Sequence, residues 1–425
     1  MEVLIINTAE QKGGAAIAAS RLLHALRSEG VSATMLVRDR ATQSPHVITA
    51  DKKWRAALRF LWERIVIWLC NGFSRRKLFK VSIANTGFDI TQTPEFQRAD
   101  VIHLHWINQG LLSLSDIRRI LLSGKRVIWT LHDMWPITGC CHHAYECLRW
   151  TDRCGHCQQL GGKVPFLSGA SDLSNRTYLK KLYCYAAGHI DFVACSEWLA
   201  AMARKSPLTL GHGVHTIANA IDTDFYAPSS EKEKVSLRSA LDTQWGIPPS
   251  ASIILFAAAK VTDPIKGFDL LIEALDRHFS TDNREAHLFI VGAEGEAAAR
   301  SLSFPHTCRG YVDDPEEMRR LFHAADVLVV ASRRENLPNI IAEAKACALP
   351  VVAFGVGGIP QMIRHREDGF LAQPESPTSL AEGIVFVLDH RNPRQLADAA
   401  RVDAVDHYSA HAVAQQHLQL YRENR

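Results

Sequence analysis

Residues 325–358 read ADVLVVASRRENLPNIIAEAKACALPVVAFGVGG, a stretch that passes twice from apolar run to polar loop. Val327 to Ala331 has the length and β-branched content of a buried parallel strand. The polar loop Ser332 to Asn336 follows, and Pro338 then stands at a favourable first helical position. A helix is predicted from Pro338 to Ala348, stopped by Leu349-Pro350. Val351 to Phe354 is a second strand and runs into the glycine loop Gly355-Val356-Gly357-Gly358. Both loops follow the carboxyl ends of strands, where open α/β sheets bind ligands. Glu335 stands just before the helix and Glu343 inside it, with seven residues between them. The helix opening around Asn336, Leu337, Pro338 and Asn339 offers a dipole and, from Leu337 to Ile340 except at the proline, free amides that favour a phosphate. Carboxylates beside a phosphate are useful only if they hold hydroxyls, so ribose or sugar hydroxyls are their natural partners.

At 425 residues the chain should form about two domains, each with its own core. Hydrophobic residues make up 47%, and no run of apolar residues reaches the length of a membrane span. Net charge is +3, too balanced to argue for nucleic acid as a partner. The opening MEVLIINTAEQKGG lacks a basic leader and a small-residue cleavage site, which sets the expectation of a cytoplasmic protein. Four of the ten cysteines are clustered and the rest scattered, a pattern suited to a reducing compartment.

From the start of the chain, Val3 to Asn7 reads as a strand. The loop holding Gly13 and Gly14 leads into a helix predicted from Ile17 to Glu29, and Ser32 to Val37 is a second strand. The small residues fit a plain tight turn as well as a close backbone approach to a ligand. Residues 51–82 break this rhythm. Trp54, Leu58, Leu61, Ile65 and Trp68 fall on one helical stripe amid nine Lys and Arg residues. Such a stripe fits either the core of the first domain or an anionic membrane surface, which would make the protein peripheral on the inner face of the cytoplasmic membrane. Ala99 to Leu104 and Arg126 to Leu131 are further strands, and His105 and His132 follow their carboxyl ends.

Cys141, Cys147, Cys154 and Cys157 lie within 17 residues and can close a tetrahedral zinc site. His142, His143 and His156 are alternative ligands, and Cys140 is the spare thiol. With all four ligands from protein such a metal would be structural. Two disulfides are the rival reading, disfavoured in the cytoplasm. Further on, Asp222-Thr223-Asp224 sits in a linker and reads as turn chemistry. The polar stretch Pro228 to Pro249 reads as an interdomain segment.

The glutamates at 335 and 343, followed by Ala348-Leu349-Pro350 and Gly357-Gly358-Ile359-Pro360, resemble the signature of retaining, nucleotide-sugar-dependent glycosyltransferases of family 4. The run TLHDMWPITGCCHH with its later cysteines is similar to the insertion of a colanic-acid-type exopolysaccharide subgroup, except that Gln158 replaces a proline. The resemblance implies a GT-B fold: α/β, two Rossmann-like domains facing across a cleft. It implies an N-terminal acceptor-side domain over 1–220, with the cysteine-rich insertion at 139–160 and the basic segment at 51–82. A nucleotide-sugar domain would span 221–405, and a C-terminal helix over 406–425 would pack back on the first domain.

The same resemblance implies the site. Lys266 would neutralise the donor diphosphate together with Lys260, which stands where the family carries arginine and loses its bidentate fork. Glu335 would hold the sugar, Glu343 the ribose, and His132 of Thr130-Leu131-His132 would reach the donor sugar, with His105 nearby. Gly13 and Gly14 would face acceptor and phosphates. The expected reaction moves a hexosyl group from a UDP- or GDP-sugar to a lipid-linked oligosaccharide in exopolysaccharide, O-antigen or capsule synthesis. No cofactor is implied for catalysis beyond the structural zinc. Two rivals remain: a nucleotide-sugar epimerase or phosphorylase of the same fold, and a non-catalytic membrane-bound assembly factor.

Overall fold

A computed structural model describes residues 1–75, 78–160, 172–279 and 285–423 of the chain. Arg76 and Lys77, two of the basic residues in the 51–82 segment, lie outside the described residues. The chain divides into two compact units, Met1–Ala220 with Val413–Arg425, and Ile221–Ala412.

The first unit contains β1 (Glu2–Ala9), β2 (Ser32–Asp39), β3 (Val47–Thr49), β4 (Val101–Leu104), β5 (Arg126–Leu131), β6 (Asp191–Ala194) and β7 (Gly213–Thr216). They form one sheet in the order β3-β2-β1-β4-β5-β6-β7, and every pairing is parallel. Parallel strands covered on both faces become continuous apolar runs. Val127, Ile128 and Trp129 of β5 accordingly have no exposed surface. The order reverses at β1, whose neighbours are β2 and β4. That reversal opens a crevice beyond the strand ends, and the loops after β1 and β4 border it.

The helix Gly14–Ser28 follows β1 directly and buries Leu22, Leu23 and Leu26. It begins three residues before the expected Ile17, because Ala15 and Ala16 are strong helix formers and can join its first turn. The helix Leu114–Leu122 is fixed by a capping box between Ser113 and Asp116. The last helix, Ala410–Arg422, returns its end to the first unit, where the Tyr421 hydroxyl meets Nδ1 of His103 at 2.6 Å.

The second unit contains β8 (Ser252–Lys260), β9 (Ala286–Ala293), β10 (His306–Gly310), β11 (Val327–Val330), β12 (Val351–Phe354) and β13 (Gly369–Ala372). Their order is β10-β9-β8-β11-β12-β13, again wholly parallel. Here the reversal falls between β8 and β11. Lys260 ends the first of these strands and the loop to Glu335 follows the second.

Two sequence expectations change in this unit. The helix after the loop runs Asn339–Ala346, with Pro338 outside it as an extended N-cap. It stops early because Ala348 takes a left-handed conformation, φ 59°, and the Leu349 amide turns back to the Ala344 carbonyl. The stretch expected as an interdomain segment contains the helix Glu231–Trp245, capped by Ser230 and closed by left-handed Gly246. It is tied down by charge: Lys234 Nζ lies 3.1 Å from Asp326, and Arg238 pairs with the same carboxylate. Asp222 behaves as a turn residue, accepting hydrogen bonds from the amides of Asp224 and Phe225.

Candidate active site

In the second unit the loop after β11 is held on two sides by glycines. Gly267 and Gly357 have φ of 65° and 56°, which L side chains adopt at a cost. A Cβ on Gly267 would lie 1.9 Å from the Ala331 carbonyl oxygen, and one on Gly357 would lie 1.7 Å from the Glu335 carbonyl oxygen. Both glycines therefore admit the loop backbone where no other residue would. The loop so placed presents Glu335 to Lys266. Lys266 Nζ donates to Glu335 Oε1 at 2.6 Å, and the Ser332 hydroxyl donates to the same oxygen at 3.0 Å. The pair is partly buried, with side-chain exposures of 32% and 16%, so solvent screens it less than a surface pair.

Lys260 is placed differently. Its ammonium lies 2.8 Å from Glu294, which also accepts from the Thr262 hydroxyl. Both partners are about half exposed. Sequence reasoning set Lys260 beside Lys266 and gave no signal for Glu294, because that residue comes after the next strand. Asn336, Pro338, Asn339 and Glu343 are partly buried and Leu337 is buried, all around the start of the helix. The expected run of anion-binding amides from 337 to 340 is displaced, since the first helical residue is Asn339.

In the first unit, Gly13 caps the helix Gly14–Ser28 with φ 93°, and Cβ atoms on Gly13 or Gly14 would meet nothing within 4 Å. Beyond β4 and β5 the structure joins His105 and His132 directly: His105 Nδ1 and His132 Nε2 are 2.9 Å apart. Burial pushes His132 down to about 4, with Asp133 opposing, and burial also lowers His105 well below its ordinary range. Both rings are therefore neutral at physiological pH. One proton lies between them, and among the described residues Nε2 of His105 has no hydrogen-bond partner. A buried bare lone pair is more readily tolerated than an orphaned N–H. The favoured arrangement thus has His105 donating from Nδ1 and His132 carrying its own proton on Nδ1. His105, Asn108, His132 and Asp133 also line a cavity of about 10 Å³, room for one water.

Asp133, which sequence reasoning passed over, is the centre of this corner. Burial works to raise it, but His142, the Trp135 amide and the Trp106 indole together bring it down to about 2. His142 Nδ1 lies 2.6 Å from Asp133, and His142 Nε2 lies 3.0 Å from the Ser82 hydroxyl. The histidine named as an alternative metal ligand is thereby engaged elsewhere. It ties the cysteine-rich insertion to the end of β5.

The cysteines themselves are all free thiols. Among the described residues no three His, Cys, Asp or Glu side chains are grouped so as to hold a metal. Cys140, the expected spare, hydrogen-bonds Cys157 and lowers it to about 7. The Gly139 amide donates to Cys154 Sγ at 3.1 Å. Beneath them Lys181 has no exposed surface; it donates to the carbonyls of Trp135 and Thr138 and burial lowers it to about 7.

A family profile described as "Glycosyltransferase Family 4" matches residues 12–225, and one described as "Glycosyl transferases group 1" matches residues 251–390. A D-inositol 3-phosphate glycosyltransferase of Xylanimonas cellulosilytica is 32% identical over 231 residues, 50% of this chain and 54% of that protein. An uncharacterized glycosyltransferase of Methanocaldococcus jannaschii is 28% identical over 218 residues, 49% of this chain and 54% of its own. The chain spans about half the length of the curated relatives it matches. Among solved structures, Anabaena HepE in complex with UDP-glucose covers 99% of both chains at a TM-score of 0.62 and 15% identity. WaaG, a glycosyltransferase involved in lipopolysaccharide biosynthesis, covers 100% of both at a TM-score of 0.56 and 14% identity. At these identities the likeness shows the fold alone, that of GT-B proteins.

Proposed function

The chain belongs to glycosyltransferase family 4, and on that premise we propose that it moves a hexosyl group from a nucleotide-sugar to an acceptor hydroxyl with retention at the anomeric carbon. The observation that carries this reading is the Lys266–Glu335 pair, held at 2.6 Å by two glycines that touch the loop backbone. In the absence of donor the lysine neutralises the glutamate. A diphosphate takes Lys266 as its own counter-ion and releases Glu335 to accept hydrogen bonds from the transferred sugar. Lys260 changes partner in the same way, leaving Glu294. Charge on the departing diphosphate is then stabilised by both lysines and by the amides that open the Asn339–Ala346 helix. Glu343 is assigned the ribose, and neutral His132 a hydrogen bond to the sugar. Gly13 and Gly14 leave open space above their helix, suited to a bulky substrate.

UDP is the first nucleotide to test, because HepE was solved with UDP and with UDP-glucose. The acceptor assigned is a lipid-linked oligosaccharide, as in exopolysaccharide or O-antigen assembly, supported by the resemblance of the cysteine-rich insertion. The curated relatives are named for an inositol phosphate instead, so both acceptor classes belong in the assay. The zinc assignment to Cys141, Cys147, Cys154 and Cys157 is carried forward as part of the proposal. In the arrangement described the thiols do not share a metal position, and binding requires Cys157 to leave Cys140.

The test is product analysis of purified protein with UDP- and GDP-hexoses, with and without each acceptor. Acceptor-dependent release of nucleoside diphosphate supports the reading. Interconversion of the donor without acceptor identifies an epimerase, and an untouched donor in every mixture leaves an assembly factor.

A further inference from the structure

The helix Lys53–Cys70 is oriented against the ordinary rule for an amphipathic helix on a globular protein. Its inward side carries charge: Glu63 is fully buried and Arg64 nearly so. Glu63 Oε1 accepts from the amides of Ile83 and Ala84 at 2.9 and 3.0 Å. Arg64 donates to the carbonyls of Leu78 and Val81 and pairs with Glu63 at 3.0 Å. These bonds satisfy backbone groups of the following loop that would otherwise be buried without partners. They fix the rotation of the helix. Turning it to bury the apolar stripe would break all of them.

Ala56 and Ile67 share the buried side with these charges, while the larger apolar side chains of the first half of the helix face outward. Trp54, Leu58, Leu61 and Trp62 on the helix, and Phe73 and Phe79 just after it, are each between 52% and 64% exposed. Of the stripe read from sequence, Ile65 and Trp68 are partly covered, so the outward set is shifted toward the first half of the helix. The exposed charged residues of the segment among the described residues, Lys52, Lys53, Arg55, Arg75 and Lys80, are all basic. No helix among the described residues is long and apolar enough to cross a membrane.

From this juxtaposition we propose that the face built by Trp54, Leu58, Leu61, Trp62, Phe73 and Phe79 is a docking surface for an anionic lipid bilayer, with the helix lying in the plane of the interface. Tryptophans with amphipathic indole rings, wholly apolar leucines and phenylalanines beside them and a basic rim match the headgroup boundary of such a bilayer. A second copy of the chain fits less well. A two-fold interface would set this basic rim against its own image, and like charges across an interface cost affinity. The inference rests on the helix and the segment just after it, and stands apart from the transfer chemistry.

The experiment uses the full chain and sedimentation with vesicles of phosphatidylcholine, with or without phosphatidylglycerol. Binding should require phosphatidylglycerol, weaken with added salt, and fall about fivefold for each of Lys52→Gln and Lys53→Gln. The double variant Trp54→Glu, Trp62→Glu should lose vesicle binding while keeping the wild-type melting temperature, since both side chains already face solvent. As a check that needs no variant, the wild-type tryptophan fluorescence should shift to the blue on binding and be quenched by brominated lipid. Three results would overturn the proposal: no binding of wild type to anionic vesicles, unchanged binding of the double variant with unquenched fluorescence, or a stable dimer in solution that the double variant dissolves.

Discussion

Replacing Glu335 with Gln separates the two duties assigned to that residue. Its Oε1 accepts from Lys266 at 2.6 Å and from Ser332 at 3.0 Å. Gln keeps the shape and one acceptor but removes the charge, so the Lys266 ammonium loses its counter-ion. With the pair about a quarter exposed on average, the loss of stability should stay near 1 kcal/mol, a shift of a few degrees in melting temperature. The freed lysine is then more available to a diphosphate. Binding of UDP or GDP should therefore be unchanged or several-fold tighter, never weaker. Catalysis should move the other way. A charge-assisted hydrogen bond to the sugar is worth about 1.5–3 kcal/mol, and if it is made chiefly in the transition state its loss lowers kcat about ten- to a hundredfold. Calorimetric nucleotide titration beside steady-state kinetics on both proteins reads the two effects. Weaker nucleotide binding with kcat intact would refute the assignment of Lys266 to phosphate and Glu335 to sugar.

Gly357→Ala should fold yet push the Glu335 backbone away from its position, since the new Cβ starts 1.7 Å from a carbonyl oxygen; a displacement of about 1 Å costs roughly a hundredfold in kcat, and wild-type rates would show that the loop position is immaterial. Stability should fall as pH drops. His103, His105, His132 and His417 are all lowered by burial, so the unfolded chain binds protons first and stability is lost from about pH 6.5 downward, at up to about 1.4 kcal/mol per pH unit for each histidine. The loss continues to about 4 for His132 and about 3 for His417. A urea midpoint equal at pH 7 and pH 5 would contradict this. For the cysteines, elemental analysis of reduced protein should find one zinc per chain, lost together with stability in Cys154→Ser, whereas Cys140→Ser should retain the metal; metal-free, well-folded wild type would remove the site.

The strand-loop-helix unit at 327–354 was legible because strand, proline and glycine each signal locally. Its sheet neighbours followed from the same alternation of apolar runs and helices. What was not legible depends on contacts distant in sequence. The 231–245 helix buries only Leu241 among its apolar residues, so no stripe announces it. Its anchor, Asp326, comes more than eighty residues later. In the 53–70 helix the periodicity identified an apolar face but not the direction it points. That direction is set by Glu63 and Arg64, whose partners belong to the 78–84 loop. At the candidate site, the residue types were readable from motif spacing. The Lys260–Glu294 pair and the Asp133–His142 link were not, because each joins loops that meet only once the sheet has formed.

Proton NMR of the anomeric signal tests sugar transfer with retention most directly. Purified protein is given an α-linked UDP- or GDP-hexose and acceptor, and the spectrum is followed through the first turnovers. Retaining transfer predicts loss of the donor signal, matching release of nucleoside diphosphate, and growth of an α-anomeric signal on the acceptor. A β-anomeric product, or a donor that disappears without any new glycosidic signal, would contradict it.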